Sequence, residues 1–171
     1  MKRWIVRIIA GLVLAGAILL GNAGLVGDSA GARSESGAAE RPTAWQSMAA
    51  GEVIIEPTTD AESRRIRVRI ADEASERAQG MQHLPPEVIR ATPIWFEFPV
   101  PRRTSWHMRN VRAALDIAYV DDNGRVIGIE RMTPGGSGYG SDAAIAAALE
   151  LAAGEAERLG IQVGTRLRRA R

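Results

Sequence analysis

Ser105, His107, Arg109 and Asn110 fall within one short stretch, spaced by Trp106 and Met108, and Asp116 follows among Leu115, Ile117 and Tyr119. Polar groups set among large apolar ones need partners once buried, so this stretch implies a specific network. Ser105 and His107 are two apart and share a face if the chain is extended. If Asp116 reaches His107 from the next strand, its carboxylate would orient the imidazole. The imidazole would then activate the Ser105 hydroxyl, as in a hydrolase. The chain lacks a G-x-S-x-G elbow and an evident oxyanion loop, features that accompany such a nucleophile in one large hydrolase class. The leading expectation is therefore a non-enzymatic binding face of Trp106, His107, Arg109, Asn110 and Asp116, for a small ligand, a glycan or a partner protein. Pockets of that kind combine apolar walls with a few polar groups. A purely structural reading stands beside both. In it Asn110 and Asp116 satisfy backbone groups at a tight turn and His107 is a packed neighbour.

Other chemistry finds little support. His83, His107 and Asp116 have no metal-ligand spacing, and there is no Cys, so no metal and no cofactor is expected. Gly135-Gly136-Ser137-Gly138-Tyr139-Gly140 lacks the Lys-Ser/Thr of a phosphate loop and reads as a flexible surface loop able to act as a lid. Asp121-Asp122 belong to a turn. Glu97 and Glu150 read as outward on their strands, Glu150 with room for a structural salt bridge. Trp95, Phe96, Phe98 and Trp106 read mainly as core, because a small domain without disulfides needs its large side chains buried.

The N-terminus sets the location. Met1 to Arg7 carries Lys2, Arg3 and Arg7, and an uncharged apolar run from Ile8 to Leu20 follows. A basic region before a short apolar one is a secretory signal, with Gly21-Asn22-Ala23 or Ala30-Gly31-Ala32 as cleavage points. Ile5 to Val26 is also nearly long enough to span a bilayer, so a retained anchor is the alternative. Either way the rest is exported, periplasmic or extracellular, and touches membrane only through residues 5–26. Removing Lys2, Arg3, Arg7 and Asp28 from 22 basic and 20 acidic residues leaves 19 of each. That balance gives no argument for nucleic acid. The resulting division is a signal or anchor over 1–26, a flexible linker over 27–50 and one domain over 51–171. The linker follows from a Gly, Ala and Ser composition that cannot bury a core.

The elements that would position the polar stretch are mostly strands. Val53-Ile54-Ile55 is a short edge strand. Arg65 to Ile70 alternates Arg with Ile, Val and Ile, the clearest period-two pattern in the chain. Asp72 caps a short helix ending at Gly80. Ile94 to Phe98 is a strand stopped by Pro99-Val100-Pro101, and Thr104 to Met108 is another. Leu115 to Val120 and Arg125 to Ile129 flank Asp121-Asp122-Asn123-Gly124, a hairpin signal. Ala143 to Leu151 fits helix by propensity and strand by alternation. A last strand lies around Thr165 to Arg168.

The order of several short motifs resembles the family called domain of unknown function 192. They are Glu76-Arg77-Ala78-Gln79-Gly80-Met81, Ile94 to Phe98, Met108-Arg109-Asn110, Leu115-Asp116-Ile117, Leu149 to Gly154, and Leu159-Gly160-Ile161 with Gly164. The resemblance runs from Ile66 to Leu167. It implies an α+β domain with a small, strongly curved, mainly antiparallel sheet approaching a barrel, and short helices. It also implies that Ala146 to Leu151 is strand and that a helix begins near Gly154. The family usually has Trp at the position of His107, an aromatic at His83, Thr at Val111 and Gly-Asp at Gly164-Thr165. It brings no agreed activity, cofactor or catalytic residue.

Overall fold

The computed structural model describes residues 41–59 and 61–170. The signal or anchor segment and residues 27–40 of the expected linker lie outside them. Among the described residues no helix is long and apolar enough to cross a membrane.

The fold begins before residue 51. Helix α1 (Thr43–Ser47) and the start of β1 (Ala49–Glu56) fall inside the stretch expected to be linker. Trp45 and Met48 are buried there, at 3% and 1% exposure. The local composition is poor in apolar residues, but these two suffice. Arg69 lies 4.6 Å over the Trp45 ring and Arg41 lies 5.1 Å from it, cation–π contacts that hold the indole in place. Arg69 Nη1 also donates to the Met48 carbonyl at 2.7 Å.

β1 pairs antiparallel with β2 (Arg64–Ala71). Two short helices, α2 (Ala74–Gln79) and α3 (Pro86–Ala91), then carry the chain across to β3 (Ile94–Arg102), parallel to β2. Glu73, not Asp72, caps α2. It forms a reciprocal capping box with Glu76, which satisfies two otherwise free N–H donors. β3 runs through Pro99 and Pro101 instead of stopping there, with a register irregularity between Glu97 and Arg102. Such a bulge lets a strand tolerate residues that cannot donate to the ladder.

β4 (Ser105–His107) and β7 (Ser137–Gly140) form a separate two-stranded ribbon. The Gly-rich stretch is thus partly strand, not free loop. Gly140 permits it: a Cβ there would sit 2.6 Å from the Thr104 carbonyl oxygen. β5 (Leu115–Val120) and β6 (Val126–Met132) make the expected hairpin. β8 (Ile145–Ala152) pairs antiparallel with both β3 and β5, so the Ala-rich segment is strand, as the family resemblance implied. α4 (Glu155–Arg158) follows Gly154, and β9 (Arg166–Arg169) returns to β1.

The seven-stranded sheet has the order β6-β5-β8-β3-β2-β1-β9. It curls until its two edges touch, through an Arg125–Arg166 bridge and the bond from Val126 N–H to Thr165 O at 2.8 Å. Alternation divides the side chains between two cores. Val53, Ile70, Trp95, Ala118, Val120, Leu149 and Leu167 fill the concave inside. Phe96, Leu115, Ile117, Tyr119 and Ala148 face outward under Trp45, Leu84, Ile89 and Met108. The fold is therefore α+β with a strongly curved, mainly antiparallel, barrel-like sheet.

Candidate functional site

The sheet itself separates the residues of the expected network. Leu115, Ile117 and Tyr119 belong to the outer core, together with Met108 and the half-buried Trp106. Asp116 alternates with them, on the side of Ala118 and Val120. The β4 arm lies over one face and the Asp116 carboxylate emerges from the other. Asp116 is also fully engaged. Its Oδ2 accepts the Gly154 N–H at 2.7 Å and the Ala156 N–H at 3.3 Å, and its Oδ1 accepts from Arg131 Nε. These bonds fix the start of α4. No hydrogen bond joins Ser105 to His107 or His107 to Asp116 among the described residues, so the Ser-His-Asp reading fails. Asp116 also leaves the five-residue binding face.

Arg109 and Asn110 are exposed in the turn after β4. Asn110 adopts φ 60° and its carbonyl accepts the His83 N–H at 2.9 Å; His83 itself has φ 62°. Asn enters the left-handed region more readily than most residues, and Asn110 serves the turn through its backbone.

Ser105 and His107 are exposed and, with Trp106, form one wall of a groove of about 160 Å³. The end of α2 and the segment through Gln82 form the other wall. Trp106 is held by a bond from its Nε1 to Thr104 Oγ1 at 2.9 Å and by a T-shaped contact with Phe96, centroids 4.8 Å apart. Glu150 lines the groove from β8. It shares the outer face of the sheet with Ala148 and Ile117 but is buried there, and it makes no salt bridge among the described residues. It is 5% exposed, and its Oε2 is buried with no hydrogen-bond partner among the described residues. Burial pushes its carboxyl up to about 8, because the charged form loses its hydration. Parity pointed to it: Glu150 alternates with Leu149 and Leu151 in a strand covered on both faces, so neither side of β8 leads directly to water.

A larger cavity, about 620 Å³, opens at one end of the curled sheet. Trp95, Val120, Ala147 and Leu167 form its apolar floor, and the β5–β6 turn and β9 form its rim. A chain of polar contacts orders that rim. Trp95 Nε1 donates to Glu97 Oε1 at 3.0 Å, and Arg169 Nη1 binds Glu97 Oε2 at 2.9 Å and Asp72 Oδ2 at 3.4 Å. The carboxylates of Asp121 and Asp122 are tied to Asn123 and Arg125 within the turn. None of the expected site residues lies here. The signal was divided between a turn motif and a basic tail that the fold brings together. Among the described residues no three His, Cys, Asp or Glu side chains converge as a metal site.

Together these features define a small α+β domain whose curled sheet has an open mouth and whose outer face carries helices and a ribbon. The family model of the uncharacterised ACR proteins, domain of unknown function 192, matches residues 55–169, and the chain belongs to that family. No curated protein matches the chain. A solved structure of a proposed transcription regulator from Sinorhizobium meliloti 1021 is similar, at 26% identity and TM-score 0.65. It covers 71% of this chain and 95% of its own. A protein of unknown function from Novosphingobium aromaticivorans DSM 12444 shares the fold, at 24% identity and TM-score 0.61, over 75% of this chain and 99% of its own.

Proposed function

We propose that the protein is an exported, non-enzymatic binding module of the cell envelope, and that its ligand enters the mouth of the curled sheet. The observation that carries this reading is the mouth cavity of about 620 Å³. Its size is typical of small-molecule sites, which favour the mouths of β-barrels. An apolar floor under an ordered polar rim suits a molecule with one flat apolar face and one or two polar groups, such as a sugar or a planar ring. The basic and apolar N-terminus supports export, and the near-neutral remainder supports neither nucleic acid nor a lipid surface as partner.

A thermal-shift screen of small metabolites and oligosaccharides against the purified protein tests it, since a ligand that binds only the folded form raises Tm by mass action. Ala147→Phe, which fills the mouth, should abolish the shift given by any hit, and His107→Ala should leave it intact. Hits that survive Ala147→Phe, or a broad library with none, refute the reading.

A further inference from the structure

We propose that the groove between the end of α2 and β4 is a second site, independent of the mouth, that binds a primary ammonium group with Glu150 as its counter-ion. Glu150 is the central observation. A carboxylate oxygen with no partner, buried at the floor of a groove, costs stability unless something arrives to bond it. A built structural acid looks different. Glu76, also buried, has both oxygens engaged, with Ser47 Oγ and with the N–H groups of Asp72 and Glu73.

The groove walls favour a donor of positive charge. Ser105 and His107 offer exposed polar atoms at the rim. Trp106, fixed in orientation by Thr104 and Phe96, offers an aromatic surface to a cation. The cation on the wall, Arg77, is anchored through one of its nitrogens. Arg77 Nη1 donates to the Asp72 and Glu97 carbonyls, and its guanidinium lies 5.8 Å from the Phe98 ring. An anionic ligand would meet the Glu150 carboxyl at the floor of the groove. A space of about 160 Å³ admits the tip of an aminoalkyl chain. Gly80 keeps the floor open: it adopts φ 46°, which side chains rarely take, and a Cβ there would stand 3.8 Å from Glu150 Oε2.

The test is a carbon-13 titration of the glutamate carboxyls in the full-length protein, with and without n-butylammonium. The titratable and charged groups around Glu150 are Arg77 on α2, His107 on β4 and Tyr119 on β5. α3 packs through Ile89 and also carries Glu87 and Arg90. Alone, Glu150 should titrate last among the glutamates. Saturating amine should lower its midpoint by at least one pH unit and shift the amide signals of Gly80 and His107. Affinity should rise up to tenfold per pH unit between pH 6 and 8, as the acid ionises. Glu150→Gln should weaken binding at least tenfold, and Ala147→Phe should leave it unchanged, which separates this site from the mouth. An unmoved midpoint overturns the proposal, as does undiminished binding to Glu150→Gln. A midpoint raised by acetamide and unmoved by amine would also overturn it, since the acid would then serve as a proton donor to a neutral ligand.

Discussion

Asp116 and Glu150 show how a buried carboxyl group does opposite things in one sheet. Asp116 is buried with every oxygen bonded, two backbone N–H groups and a guanidinium included. Asp116→Ala should unfold the start of α4 and cost about 2–3 kcal/mol, the usual loss when hydrogen bonds to a buried charge are removed. Urea unfolding measures it directly. Glu150 is buried without that support, and burial pushes its carboxyl from the usual glutamate value of 4.5 up to about 8. The folded form holds a proton that the unfolded chain has released, so stability falls as pH rises between those values and is free of this penalty below them. The loss across the window is on the order of 4 kcal/mol. Glu150→Gln should abolish this part of the slope when unfolding is compared at pH 5 and pH 8. An equal slope in both proteins would mean that the acid stays charged when folded. Neither role was readable from residue type. Alternation puts Asp116 opposite Leu115 and Ile117, but which face β4 covers depends on the path of the chain. Glu150 looked outward only because a charged residue on a strand usually is.

At the scale of elements, local pattern and tertiary demand agree in some places and not in others. Arg65 to Ile70 alternates cleanly and is β2. Asp121 to Gly124 is the turn between β5 and β6, with Gly124 at φ 77°. β8 is the contrary case. Its Ala residues prefer helix, yet they lie between β3 and β5 where small side chains let both cores approach the sheet. Propensities of a few tenths of a kcal/mol per residue give way to such pairing. The Gly-rich stretch departs from a free loop because its glycines serve close approach as well as turns. Gly140→Ala drives a Cβ into the Thr104 carbonyl and should cost about 1–3 kcal/mol, as overpacking does. It should detach the ribbon as well, since the Gly140 N–H and the Tyr119 hydroxyl share Glu130 Oε2. Amide exchange along β4 and β7 should then speed up while β1 and β2 stay protected.

For the whole molecule, the sheet must close on residues far apart in the chain. Trp45 lies outside the strands but completes the outer core. Trp45→Ala should cost about 3–5 kcal/mol, the range for removing a buried large aromatic, and chemical denaturation would show it as a lower midpoint with a similar slope. A tether reaching to residue 50 would predict no change. β1 pairs with β2 on one side and with β9 on the other, where Val53 faces Arg169 and Glu56 faces Arg166. Synthesis delivers these partners far apart, with 112 positions from Glu56 to Arg168. A chain still on the ribosome has β1 finished and one side of it unmatched until β9 emerges. Long-range pairing of this kind is slow to form. Closure of the sheet is therefore deferred until β9 has emerged and joined β1.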